Sequence, residues 1–146
     1  MILPLLTALS GRSHPRSAGE FGARLVGAAG LIYDAYAHLD LAASVDANIA
    51  TVSQGLLFRV EAILASVAAL LVLISRRRSV LVLVALVAAS ALGAVLLYRY
   101  LDVGSLGPLP NMYEPVWYPE KAYSALAEGG ALLAVGYLLF SRYQKR

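Results

Sequence analysis

Cysteine is absent from this chain of 146 residues, which removes disulfide frameworks, thiolate metal sites and thiol redox chemistry at a stroke. Charge is scarce as well: only 14% of the residues are Asp, Glu, Lys or Arg, while 60% are hydrophobic, and the mean hydropathy is +0.70. A soluble domain of this length needs more polar side chains than that to cover its surface. There is no HExxH, no paired HxH, no glycine-rich phosphate loop and no nucleophile–base pair, and no internal repeat or low-complexity tract. The sequence therefore leaves any cofactor unknown and carries no signature of a known catalytic class. Lysine is nearly missing, with two against ten arginines, a bias that together with the abundant alanine, leucine and valine suggests a high-GC bacterial genome.

What is present is long apolar runs. A helix needs roughly 20 apolar residues to cross a bilayer, and four stretches qualify, at about 19–41, 54–75, 80–100 and 119–141. The second and third are joined by Arg76-Arg77-Arg78-Ser79, a tight turn that predicts an antiparallel hairpin. The first is the most polar, with Glu20, Arg24, Asp34, His38 and Asp40. The expected fold is all-α, an integral membrane four-helix bundle over residues 19–146, preceded by a cytoplasmic tail at 1–18. Met1-Ile2-Leu3-Pro4-Leu5-Leu6 is too short to span and has no basic segment before it, so it makes a poor signal peptide.

Orientation follows from the arginines. Arg12, Arg16, Arg24, Arg76 to Arg78, Arg142, Lys145 and Arg146 fall on one side of the four spans, and only Arg59, Arg99 and Lys121 on the other. The positive-inside rule places both termini and the arginine turn in the cytoplasm, in a bacterial cytoplasmic membrane. The same distribution explains the sequence pI near 9.3 without nucleic acid. All acidic residues but Glu20 then lie in the outer half. Small-x-x-x-small pairs at Ala23/Gly27, Ala89/Gly93, Ala127/Ala131 and Gly130/Ala134 are candidate seams for close helix packing.

Ionisable groups in hydrocarbon are costly and usually face a bundle interior, a water-filled cavity or a partner. At about 1.5 Å of rise per residue, Asp34 lies roughly 9 Å and His38 roughly 3 Å inward of Asp40. Asp34 and His38 are four apart and share a helix face, as do Glu120, Ser124 and Glu128. Arg59 and Glu61 are two apart and point in nearly opposite directions, so each needs its own partner. Arg59 with Asp34 or Glu128, and Arg99 with Glu61 or Glu114, are the expected pairings. Four prolines fall between Pro108 and Pro119, three of them in the loop from Asp102 to Tyr118, and they stiffen it; Trp117 and Tyr118 suit a headgroup layer. Met112, Tyr113 and Glu114 fall where this loop recrosses the mouth of the bundle, and Tyr98 closes the third span at the same level. The candidate ligand-binding set is therefore Asp34, His38, Arg59, Glu61, Tyr98, Arg99, Tyr113, Glu114 and Glu128. A His/carboxylate metal site is one use of such residues; ion pairing that only fixes helix register is another.

The stretch Gly107-Pro108-Leu109-Pro110-Asn111-Met112-Tyr113-Glu114-Pro115-Val116-Trp117, continuing through Pro119-Glu120-Lys121, with Asp34 and His38 upstream, resembles small four-span membrane proteins of actinobacteria. That resemblance carries no activity and transfers no residue roles. Three functions are compatible with the residues. The leading one is a small binding or transport-type protein with an outer-facing polar pocket for a small ligand or cation. The second is a non-catalytic accessory subunit of a larger membrane complex, and the third a membrane enzyme acting on a lipid-soluble substrate through His38 with Asp34 or Glu128. The partners implied are the lipid bilayer, a small polar ligand or cation, and a second copy of the chain or a larger membrane complex.

Overall fold

The computed structural model describes residues 17–144, so the tail expected at 1–18 lies almost wholly outside the described residues. Among the described residues the chain is all-helical, with four long helices: α1 (Ala18–Ala42), α2 (Gln54–Ile74), α3 (Arg78–Tyr100) and α4 (Pro119–Tyr143). A short 3₁₀ turn, Ala43–Val45, follows α1. The helix starts carry their own local signals. Ser17 begins a Ser-x-x-Glu capping box, its hydroxyl accepting from the Glu20 N–H at 3.2 Å. Ser53 caps α2 by accepting from the Leu56 N–H at 3.0 Å. Pro119 occupies the first turn of α4, where its missing N–H costs nothing. The turn between α2 and α3 is shorter than expected, since α3 already begins at Arg78.

Three of these helices, α2, α3 and α4, are long and apolar enough to cross a membrane by length and composition. The helices pack in a ring: α1 on α2 and α4, and α3 on α4 and α2. Two ends can be distinguished, an arginine end with the α2–α3 turn and a loop end with segments 43–53 and 101–118. The hydrophobic core fills the middle and the arginine half. There Leu31, Val72, Leu81, Val84, Ala88, Val135 and Leu138 are buried among the alanines of α2.

Close approach of α1 and α4 depends on Gly30. A Cβ at that position would sit 2.5 Å from the Ala127 carbonyl oxygen and 3.1 Å from the Ala131 Cβ. The Ala127/Ala131 seam is thus a real contact, whereas Gly93 and Gly130 have nothing within 4 Å of an added Cβ and form no close seam among the described residues. At the arginine end Arg24 is buried and donates to the Val72 carbonyl and, at 2.8 Å, to the Ser75 carbonyl. These carbonyls close α2 and have no partner within the helix, so a guanidinium suits both their hydrogen bonding and the helix dipole. Arg142 of α4 donates in the same way to the Arg76 carbonyl.

Candidate functional site

At the loop end the two connecting segments are sewn together. The Pro108 carbonyl accepts from the N–H groups of both Thr51 and Val52, each at 3.1 Å. Asn48 Nδ2 donates to the Asn111 carbonyl at 2.8 Å and to Gln54 Oε1 at 2.7 Å, and Asn111 Nδ2 donates to Asp102 Oδ1 at 2.9 Å. Gly104 and Gly107 take positive φ, 68° and 58°, where the segment turns back on itself. The Glu114 N–H then bonds the Tyr98 carbonyl at 2.9 Å, which returns the loop to the top of α3.

Beneath this lid lies a cavity of about 710 Å³. All four helices and the lid contribute to it. Leu57, Phe58, Ala91, Ala94, Val95 and Leu109 supply apolar wall, and Asn48, Gln54 and Asn111 line the lid side. His38, Glu61 and Ser124 line it as well, and apolar surface predominates overall. The cavity lies between the loop-end halves of α2 and α3, the pair that packs least closely of the four.

Behind His38 and Ser124 is a buried polar cluster. Asp34 and Glu128 have no exposed surface at all. His38 Nδ1 lies 2.8 Å from Asp34 Oδ1 and 3.0 Å from the Asp34 carbonyl oxygen. The Ser124 hydroxyl is 2.8 Å from Glu128 Oε1 and 3.2 Å from Asp34 Oδ1, so it bridges the carboxylates of two helices. The His38 ring meets the edge of Phe58 at a centroid distance of 4.9 Å. Asp34, His38 and Glu128 each offer one ligand atom, and these atoms lie within 4.8 Å of one another. Asp34 Oδ2, Glu128 Oε2 and Glu61 Oε1 are buried with no hydrogen-bond partner.

The structure sorts the nine residues singled out from the sequence. Asp34, His38 and Glu128 come together, and Glu61, Tyr98, Tyr113 and Glu114 join His38 in lining the adjoining cavity. Two arginines do not take the expected places. Arg59 pairs with neither Asp34 nor Glu128; its guanidinium makes two 2.7 Å hydrogen bonds to Asp46 in segment 43–53, with both side chains 43% exposed. The reason is the two-residue offset already noted: Glu61 takes the face toward the cavity, so Arg59 is turned to the loop. That fork holds the Asp46 carboxyl below its ordinary range, chiefly through the hydrogen bonds from Arg59. Arg99 pairs with neither Glu61 nor Glu114 among the described contacts. It lies over the rings of Tyr100 and Trp117, at 5.0 and 5.6 Å from their centroids. Lys121 Nζ donates to the Glu114 and Val116 carbonyls and also faces Trp117, tying the end of the lid to α4.

The candidate ligand-binding set left out Ser124, Asn48, Gln54 and Asn111. Ser124 was detectable, since it stands one turn from Glu128 on the same stripe. The three amides were not, because their roles arise only when two loops meet. Comparison with protein-family models, with curated proteins and with solved structures gives no match.

Proposed function

We propose that the chain is a four-span membrane protein, arginine end in the cytoplasm, whose lidded cavity opens toward the outer side and binds a small ligand. The observation that carries this reading is the cavity itself, about 710 Å³ under an ordered lid. Its size is in the range of small-molecule sites, about 300–1,000 Å³, and it has their character of apolar walls with a few convergent polar groups. The ligand it suits has an apolar body and a cationic or hydrogen-bonding group able to meet His38, Glu61 and Ser124. Large apolar side chains such as Leu64, Leu70, Leu86, Leu126 and Leu133 cover the outside of the helices, as lipid contact requires. Helix α1 crosses with the others because it packs on α2 and α4, from Gly19 beside Tyr137 at one end to Ala42 beside Gly55 at the other, with Arg24 and Asp34 turned inward.

The absence of cysteine makes the test direct. Single cysteines at Ser90 and Ala94, on the cavity wall, should react with a small charged thiol reagent in the purified protein. One at Leu133, which is 78% exposed on the outer face of α4, should be shielded by detergent or lipid. If Ser90→Cys and Ala94→Cys are inert while Ser105→Cys in the lid segment reacts, the cavity is closed to water and the proposal fails.

A further inference from the structure

We infer that Asp34, His38 and Glu128 form a binding site for a divalent first-row transition-metal ion, one per chain, buried just behind the cavity. The inference rests on the pocket reading only for the ion's route of entry; the site itself stands on its own geometry and charge.

Charge comes first. Two fully buried carboxylates face each other across α1 and α4, and a third, Glu61, has a buried oxygen on the cavity side. The bases at this level are engaged elsewhere: Arg59 with Asp46, Arg99 over Tyr100 and Trp117, Lys121 with the carbonyls of the lid. Only His38 forms an ion pair with the cluster among the described contacts. A buried carboxylate without a counter-charge is expensive and must be neutralised by a proton or a cation. A single divalent ion neutralises Asp34 and Glu128 together.

Geometry is the second strand. Ligands about 2.1 Å from a tetrahedral ion stand roughly 3.4 Å apart. The donor atoms of Asp34, His38 and Glu128 already lie within 4.8 Å of one another. Small side-chain adjustments are enough to close that difference. The second oxygens of Asp34 and Glu128, buried and lacking hydrogen-bond partners, are lone pairs available to an ion. Ser124, bridging the other two oxygens, holds both carboxylates in place, as outer hydrogen bonds do around bound metals. One imidazole with carboxylates is a donor set for zinc, manganese or iron(II), and it disfavours copper(I), which seeks sulfur.

The test uses cobalt(II) and zinc(II) chloride with the full chain, purified in detergent and first treated with chelator. Wild type should bind one cobalt per chain, with the visible absorption of low-coordinate cobalt, and zinc should displace it. Affinity should fall at least ~10- to 100-fold in His38→Ala and in Glu128→Gln, and stay unchanged in Arg59→Ala. X-ray absorption of zinc-loaded wild type, which needs no variant to fold, should show one imidazole in an otherwise oxygen shell. Folded wild type that takes up neither metal, a zinc spectrum without imidazole, or binding indifferent to both Glu128→Gln and His38→Ala overturns the site. The two carboxyls would then be neutralised by protons. Cysteine reactivity at Ser90 and Ala94 decides the pocket separately, so failure of the metal site and failure of the pocket are distinguishable.

Discussion

Replacing Gly30 with alanine tests the link between helix packing and the buried cluster. The new Cβ would start 2.5 Å from the Ala127 carbonyl oxygen, a backbone atom in the middle of α4 that no rotamer change can move. Ordinary contact begins near 3.4 Å, so α1 and α4 must separate locally by roughly 0.9 Å. Asp34 lies one turn further along α1, and Glu128 follows Ala127 directly. The same displacement stretches the Ser124–Asp34 hydrogen bond, now 3.2 Å, to about 4 Å, beyond hydrogen-bonding distance. Overpacking of this kind costs about 1–3 kcal/mol, and the lost hydrogen bond adds about 1 kcal/mol. Gly130→Ala is the control, because nothing lies within 4 Å of its added Cβ. There the better helix propensity should contribute about 0.5–1 kcal/mol in the opposite direction. Thermal unfolding in detergent should therefore place Gly30→Ala several degrees below wild type and Gly130→Ala at or slightly above it. Equal melting temperatures for the two variants would show that α1 and α4 are not in close contact at Gly30, and the reasoning that joins Asp34 to Glu128 would fall with it.

Three further predictions concern other parts of the molecule. In intact cells, cysteines at Arg77 and Gln144 should be protected from an impermeant thiol reagent and one at Ser105 should react; labelling at Arg77 from outside would reverse the proposed orientation. Arg24→Ala leaves the Val72 and Ser75 carbonyls without their donor at the end of α2, a loss of about 2–4 kcal/mol. Arg24→Lys should recover only part of it, because one ammonium does not reproduce the guanidinium fork, and a melting temperature unchanged in Arg24→Ala would refute the capping role. Arg59→Ala should be milder than Gly30→Ala, since the Arg59–Asp46 pair is well exposed. Its effect depends on pH with a definite sign. Arg59 depresses the Asp46 pKa, so the contribution is complete above the ordinary carboxylate range and is lost as pH falls through the lowered value. The gap between wild type and Arg59→Ala should close on acidification; a gap that widens would contradict the assignment.

Hydropathy and the arginine turn were enough to locate the helices, because apolar length and flanking charge are local properties. Expected and observed bounds differ by at most two residues at each end. Half of the cluster was equally local: Asp34 with His38, and Ser124 with Glu128, are each four apart on one helix. That these two stripes face each other was not, since α1 and α4 stand at opposite ends of the described chain. The clue was the Ala127/Ala131 pair beside Glu128, but alanine is so common here that Ala89/Gly93 and Gly130/Ala134 looked equally good. Close backbone approach at Gly30 and ordinary contact between Gly27 and Ala134 mark the seam of α1 and α4, whereas Gly93 and Gly130 face open space. The partner of Arg59 was hidden for a different reason. Asp46 belongs to segment 43–53, whose path is set by the 3₁₀ turn and by hydrogen bonds to Pro108 and Asn111, contacts that no periodicity encodes.

The displacement of Arg59 bears on which reading of the cluster is the better one. Buried charges that exist to fix helix register are matched by opposite charges, because an unmatched one costs more than the specificity it provides. Such a match was within reach: Arg59 lies on α2 only two residues from Glu61, near the level of the cluster. Instead the cations nearest the helix ends and the lid have work elsewhere, and the arginines of the α2–α3 turn stand at the opposite end of the bundle. Arg24 and Arg142 hold carbonyls at the arginine end, Arg59 secures segment 43–53, and Arg99 and Lys121 fasten the lid through aromatic rings and carbonyls. The acidic groups left at the centre, Asp34, Glu128 and Glu61, are held in position by one histidine and one serine and retain unsatisfied buried oxygens. A purely structural network gains nothing from that arrangement. The proposed site accounts for it: a positive or hydrogen-donating partner would meet acidic groups from which the protein's own cations are kept away.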